Sequence, residues 1–286
     1  MLAAAGFLAP AWGQAMPLLR KQIPSSGESI PVVGLGTARR YERPGPGLRE
    51  TLARFGALGA TVIDTAPVYG EAETVVGSLL EELRPRPEMF LATKVSISGR
   101  EAGVQQIERS FKRLRTSRLD LVAVHNLRDT RVHLGTLRAL RKEGRIRYVG
   151  ITTSSDRQYA DFEETMRREA LDFIQVDYAL DNRGAAERIL PLAAERGMAV
   201  MINLPFGRGR LFDAVRGRAL PAWAGEFDCA SWPQFFLKYI VSHPAVTCAV
   251  PGMARPGYVE DNLGAARGRL PDASLRRRME SFIDAI

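Results

Sequence analysis

Residues 90–125 read FLATKVSISGREAGVQQIERSFKRLRTSRLDLVAVH. This stretch begins and ends with short apolar runs, 90–95 and 119–124, which hardly alternate with polar residues. Such runs are typical of parallel strands that are buried on both faces of a sheet. Between them the sequence shows helical periodicity. The apolar positions of one helical face are Val104, Ile107, Phe111 and Leu114. The stretch therefore predicts a strand–helix–strand unit.

The same unit recurs along the chain. The predicted strands are residues 32–35, 61–63, 90–95, 119–124, 146–151, 173–176, 199–204 and 246–250. The predicted helices are residues 48–58, 71–83, 102–114, 133–142, 155–168, 185–195, 232–241 and 256–266. Eight strands that are each followed by a helix make up a (β/α)8 TIM-type barrel. We predict one domain over residues 17–286, with an N-terminal β-hairpin at 18–33 and an extra C-terminal helix at 274–286.

A doubly wound dinucleotide-binding fold is the main competing interpretation. It requires a G-x-G-x-x-G motif between the first strand and its helix. Here Gly34 and Gly36 are followed by Thr37, Ala38 and Arg39, and no third glycine arrives. The sequence therefore favours the barrel.

The first residues differ in character from the rest. Residues 1–16, MLAAAGFLAPAWGQAM, are apolar and resemble the hydrophobic part of a secretory signal, although a charged start is missing. The run is too short to cross a membrane, so no membrane anchor is expected. We predict an export leader outside the fold and a periplasmic protein. The alternative is an apolar leader without an export role, in a cytoplasmic protein.

Composition limits the classes of partner. The net charge is +8, but the basic residues are scattered among acidic ones, so nucleic-acid binding is not expected. The cysteines, Cys229 and Cys248, cannot form a disulfide framework, although they could pair in an oxidising compartment. Together with three histidines at long spacings they match no metal-site pattern, so no metal is expected.

Ionisable side chains follow three consecutive predicted strands. Asp64, Lys94 and His125 stand at these strand ends, and Tyr69 follows Asp64 by five residues. Catalytic groups of such barrels come from strand ends and the loops that follow them. We expect Asp64 to hold Lys94, and the ammonium of Lys94 to lower the pKa of Tyr69. With His125 orienting a carbonyl oxygen, this set suits protonation of a developing alkoxide. It supplies no hydride, so a cofactor must.

These residues belong to a larger set of motifs. The motifs are Gly34-Leu35-Gly36-Thr37, Asp64-Thr65-Ala66 with Tyr69-Gly70, Thr93-Lys94, Leu119-Asp120-Leu121 with His125, residues 142–147 with Gly150, Gln175, residues 205–209, Pro251-Gly252 and Asn262. Together they resemble the aldo-keto reductases, as a bacterial member with a remnant of an export signal. The resemblance implies a barrel that binds NADPH without a Rossmann fold and reduces a small aldehyde or ketone. It also implies that Asp64, Tyr69, Lys94 and His125 are catalytic.

The resemblance implies a set of cofactor contacts as well. They are Thr37, Thr152, Thr153, Gln175, Asn203, Leu204, Gly252, Arg255 and Asn262. Several depart from the family pattern: Thr152-Thr153 replaces a Ser-Asn pair, Asn203 replaces an aromatic residue that stacks on the nicotinamide, and Gly252-Met253 replaces a Lys-Ser pair at the 2′-phosphate. We expect Arg255 to bind that phosphate instead. NADP(H) is then preferred and NAD(H) is possible.

The altered cofactor loop leaves a second function open. Some barrels of this family act as cofactor-sensing or regulatory subunits with little turnover. The intact set of catalytic side chains favours an enzyme. The short segment 126–130 after the fourth strand predicts an open substrate mouth, and we expect a monomer.

Overall fold

A computed structural model describes residues 16–83 and 89–286. The predicted leader lies outside the described residues apart from Met16, so its export role stays a prediction. The chain opens with an antiparallel hairpin of β1 (Arg20–Gln22) and β2 (Ser29–Pro31). A parallel sheet follows, and its strands lie side by side in chain order. They are β3 (Leu35–Gly36), β4 (Val62–Asp64), β5 (Phe90–Val95), β6 (Leu119–Val124), β7 (Ile146–Thr152), β8 (Phe173–Asp177), β9 (Ala199–Asn203) and β10 (Cys248–Ala249).

The first and last strands of this sheet meet, so the sheet is closed. The N–H of Gly34 donates to the carbonyl of Ala249 at 2.8 Å, and that of Gly36 donates to Pro251 at 2.9 Å. Only glycine fits at position 36, because a Cβ there would lie 2.5 Å from the carbonyl oxygen of Val250. The predicted (β/α)8 barrel is confirmed.

Helices surround the barrel. They are α1 (Leu48–Ala57), α2 (Ala72–Leu83), α3 (Arg100–Arg113), α4 (Thr130–Lys142), α5 (Tyr159–Arg168), α6 (Ile189–Glu195), α7 (Arg210–Ala214), α8 (Trp232–Val241), α9 (Pro256–Gly264) and α10 (Ala273–Asp284). The predicted helices match these to within a few residues at most ends, but α6 begins later and α5 is preceded by a short 3-10 turn. The sequence missed α7 and the 3-10 helix Ala222–Phe227, which both lie between β9 and α8.

One predicted core position is wrong. Val104 of α3 is 38% exposed, whereas Ile107, Phe111 and Leu114 are buried as predicted. The neighbouring residue Gly103 packs against His133 of α4. The contact is so close that a Cβ on Gly103 would lie 2.4 Å from the His133 ring. A tight contact at a glycine, which apolar spacing does not reveal, therefore lies on the packed side of α3.

The hairpin covers the end of the barrel at which the strands begin. Ile23 and Ile30, at 0% and 2% exposure, pack with the inward-facing side chains of the strands. These include Val62, Phe90 and Phe173. The barrel is therefore filled and covered at this end, and its accessible end is the one at which the strands finish.

Other features of the described residues bear on the class of protein. No helix within residues 16–83 and 89–286 is long and apolar enough to cross a membrane. Over the same residues, no group of three or more His, Cys, Asp and Glu side chains is arranged to hold a metal ion. Cys229 and Cys248 are both buried as free thiols.

The covering hairpin yields a stability prediction. Ile23→Ala should lower the free energy of unfolding by about 2–4 kcal/mol, because it leaves a cavity among buried side chains. Urea unfolding measures the change. Val104→Ala is the control, since its exposed side chain should change stability by only about 0.5 kcal/mol. Equal losses in the two variants would contradict this account of the barrel end.

Candidate active site

The structure brings the predicted ionisable side chains together at the carboxyl ends of neighbouring strands. Asp64 ends β4, Lys94 lies one residue before the end of β5, and His125 directly follows β6. Parallel pairing aligns these ends, with Asp64 beside Ala92 and Lys94 beside Ala123. The turn after β4 brings Tyr69 to the same end of the barrel. The Tyr69 ring lies 5.9 Å from the ring of His125 and edge-on to it.

A buried ion pair forms the base of the site. The ammonium of Lys94 donates to both carboxylate oxygens of Asp64, at 2.7 and 2.9 Å, and to the carbonyl of Thr65 at 2.8 Å. Lys94 is 1% exposed and Asp64 is 6% exposed. Burial by itself lowers the pKa of Lys94, but the carboxylate of Asp64 and the neighbouring Tyr69 together outweigh burial and hold the pKa above its ordinary value. Lys94 is therefore a fixed positive charge at neutral pH.

Tyr69 lies next to this charge. The Lys94 nitrogen is 5.2 Å from the centre of the Tyr69 ring. Burial raises the pKa of the Tyr69 phenol, while the charge of Lys94 acts in the opposite direction. The ammonium thus acts on the phenol in the expected direction, but burial, together with the carboxylate of Asp64, outweighs it, so the net shift of the pKa is upward. Tyr69 is protonated at neutral pH and can act as an acid.

The imidazole of His125 is neutral. Burial, together with the charges of Lys94 and Arg128, lowers the pKa of His125 to about 3. Its Nδ1 lies 3.1 Å from the hydroxyl oxygen of Ser96. A neutral ring next to Tyr69 can donate one hydrogen bond to a carbonyl oxygen without adding a charge.

Two predicted cofactor residues carry free polar atoms at the same end of the barrel. Gln175 is the middle residue of β8 and pairs with Met201 of β9, and Asn203 ends β9 two residues further along. Within the described part of the chain, Nε2 of Gln175 and Oδ1 of Asn203 are buried without a hydrogen-bond partner. Gln175 lines the same small cavity as Asp64 and Lys94. The site thus holds a buried donor and a buried acceptor that no protein group satisfies.

The predicted threonines are already engaged. Thr37 donates from its hydroxyl to the carbonyl of Asp64 at 3.0 Å. Thr152 lines the cavity and accepts from the N–H of Asn126 at 3.1 Å. The hydroxyl of Thr153 donates to Gln158 at 2.8 Å, and the Thr153 side chain is fully buried. Thr37 and Thr153 therefore shape the loops of the site through bonds inside the protein.

The remaining predicted contacts lie on two loops around the strand ends. Leu204 follows β9 with a positive φ of 51°. Gly252 follows β10, and Arg255 precedes α9 with its exposed guanidinium 5.8 Å from the ring of Tyr258. Asn262 is buried within α9.

Sequence reasoning missed one basic residue beside these loops. A Cβ on Gly252 would lie 3.1 Å from Cγ of Arg40, so the Arg40 side chain passes over Gly252. Closure of the barrel explains the contact, because it pairs Gly36 with Gly252 and brings the first and last loops together. The signal was the predicted closure of the barrel, which places the residues after the first strand, including Arg40, next to the residues after the last strand.

Comparison with known proteins decides the family. The sequence profile of the Aldo/keto reductase family matches residues 33–282. The chain belongs to the aldo/keto reductase family. It is 33% identical to the methylglyoxal reductase YeaE of Escherichia coli strain K12, over 90% of this chain and 93% of that protein.

Solved structures of the family share the fold. An aldo/keto reductase from Klebsiella pneumoniae, in complex with NADP and acetate, has a TM-score of 0.72 and 27% identity over 90% of this chain and 93% of that one. A second structure from Klebsiella pneumoniae, in complex with NADPH, has a TM-score of 0.74 and 26% identity, over 94% of this chain and 96% of that one. The family likeness spans the whole barrel.

The buried ion pair yields a prediction for stability. Asp64→Asn should lower the free energy of unfolding by about 3–5 kcal/mol, because it leaves the Lys94 ammonium buried without a counter-charge. Lys94→Met likewise leaves the Asp64 carboxylate buried without a counter-charge. The double variant removes both charges, so it should be more stable than the sum of the two single losses implies. A double-mutant cycle in urea at pH 7 measures the coupling. Additive losses would show that the two side chains do not depend on each other.

Proposed function

We propose that the protein reduces an aldehyde or ketone to an alcohol with NADPH, and that Tyr69 donates the proton. The observation that carries the proposal is the buried Asp64–Lys94 pair beside Tyr69. A fixed ammonium at this position stabilises the phenolate that remains after Tyr69 has given up its proton.

Nicotinamide fits the buried polar atoms of the site. A carboxamide presents one carbonyl acceptor and one NH₂ donor. Nε2 of Gln175 would donate to that carbonyl, and Oδ1 of Asn203 would accept from that NH₂. The Klebsiella pneumoniae relatives, which contain NADP or NADPH, support this choice. When bound, the reduced cofactor supplies the hydride.

Residues of the chain donate the proton and orient the carbonyl oxygen. Tyr69 is protonated at rest because burial raises the pKa of its phenol. Lys94 stays charged because Asp64 and the Thr65 carbonyl hold its ammonium. Neutral His125 donates a hydrogen bond to the substrate oxygen, which orients it toward the Tyr69 hydroxyl. The developing negative charge on that oxygen is then met by two donors and by a nearby cation.

The substrate is a small carbonyl compound. The likeness to a methylglyoxal reductase favours a short aldehyde, which fits between Tyr69 and His125 without a long loop over the site. The connection from β6 to α4 is short, since β6 ends at Val124, α4 begins at Thr130 and only residues 125–129 lie between them.

Two arginines support NADPH over NADH. Arg255 is exposed at the start of α9, and Arg40 lies across Gly252 on the neighbouring loop. A 2′-phosphate carries up to two negative charges, which guanidinium groups bind through paired hydrogen bonds. Within the described residues, neither Arg40 nor Arg255 forms a salt bridge to a protein carboxylate. Both are therefore available for a phosphate.

Removal of the phenol hydroxyl tests the proton donor. Tyr69→Phe should lower kcat at least ~100-fold, because the general acid is lost while the ring is kept. Binding of NADPH should be unchanged, since the hydroxyl is not a cofactor contact in this proposal. Steady-state reduction of an aldehyde and a fluorescence titration of NADPH measure the two quantities. Near-normal kcat in this variant would overturn the role of Tyr69.

Charge removal tests the cofactor preference. Arg255→Ala should weaken NADPH binding about ten- to a hundredfold and leave NADH binding unchanged, because only NADPH carries the 2′-phosphate. Arg277→Ala is the matched control, since Arg277 is exposed on α10 and the variant has the same net charge. Fluorescence titration with both cofactors gives the ratio. If Arg255→Ala weakens both cofactors equally, or neither, Arg255 does not bind the phosphate.

A further inference from the structure

Ser96 lies beside His125 because of the strand register. Val95 of β5 pairs with Val124 of β6, so the next residues on the two strands, Ser96 and His125, are neighbours. The hydroxyl oxygen of Ser96 is 3.1 Å from Nδ1 of His125. Among the described residues, it is the one hydrogen-bond partner of the imidazole.

The surroundings hold both residues in place. The backbone N–H of Ser96 donates to the side-chain carbonyl of Gln106 on α3 at 2.6 Å. The carbonyl of His125 accepts from the N–H of Arg128 at 3.1 Å, and the N–H of Asn126 donates to Thr152. The backbone of His125 is thus fixed from two sides, while its ring is oriented through Ser96.

We propose that Ser96 is a positioning residue that sets the tautomer of His125. Its hydroxyl donates to Nδ1, so the single ring hydrogen of the neutral imidazole is on Nε2. The inference rests on the proposed function, in which His125 donates to the substrate oxygen. With the other tautomer, a lone pair on Nε2 would face an oxygen that gains negative charge, and would oppose the reaction.

The tautomer is measurable without substrate. Long-range proton–nitrogen NMR of the full-length protein, labelled with nitrogen-15, distinguishes protonated from unprotonated ring nitrogens at pH 7. The chain has three histidines, so the signals of His125 are those that disappear in His125→Gln. We expect Nε2 protonated and Nδ1 unprotonated in the unmodified protein. A ring protonated on Nδ1 would overturn the proposal.

Three variants test the role of the hydroxyl. Ser96→Ala should shift the His125 nitrogens toward the average of the two tautomers, and should lower kcat about three- to tenfold with unchanged affinity for NADPH. Ser96→Thr keeps a hydroxyl and should restore both the tautomer and kcat. Ser98→Ala is the matched control, because Ser98 is exposed on the same loop and should change neither.

The readouts separate this proposal from the proposed function. Turnover by the unmodified protein tests the function, whereas the nitrogen signals test the tautomer in the absence of substrate. An unchanged tautomer or an unchanged kcat in Ser96→Ala would overturn the positioning role, even if the unmodified protein is an active reductase.

Discussion

The ion pair between Asp64 and Lys94 is the constraint on which the site depends. A lysine that is 1% exposed is tolerated only with a counter-charge and filled hydrogen bonds, and Asp64 with the Thr65 carbonyl supplies both. Because the partners lie at the carboxyl ends of adjacent strands, within one residue of each strand's end, the pair depends on the native register of β4 and β5. The same register places His125 one strand further on. Formation of the barrel therefore brings Asp64, Lys94 and His125 together.

The two ends of the barrel have separate tasks. At one end the hairpin residues Ile23 and Ile30 complete the apolar interior, which gives the strands a fixed base. At the other end the polar side chains lie at the ends of the strands, and the packed barrel interior limits their movement. Closure between the first and last strands adds a further effect: it brings Arg40 next to Gly252, although 212 positions separate them in the sequence. The loops that are proposed to hold the cofactor are therefore built from both ends of the barrel sequence.

Much of this architecture is predictable from the sequence. Apolar runs locate the strands because parallel strands of a barrel are buried on both sides, and the ionisable residue after each run then falls at the accessible end. What could not be predicted depends on contacts distant in sequence. Val104 is exposed while its neighbour Gly103 packs against His133, and the pKa of Tyr69 is raised because the folded chain buries the phenol. The short helix α7 has too few residues to show a period.

The account's central claim is hydride transfer to a carbonyl at this site, as opposed to cofactor binding without turnover. The direct measurement uses NADPH deuterated at both C4 positions, the purified protein and a short aldehyde, followed by mass spectrometry of the products. The account predicts one deuterium in the alcohol for each NADPH oxidised. Bound NADPH that keeps its deuterium over many hours with aldehyde present, and no labelled alcohol, would contradict it and would favour a cofactor-sensing subunit.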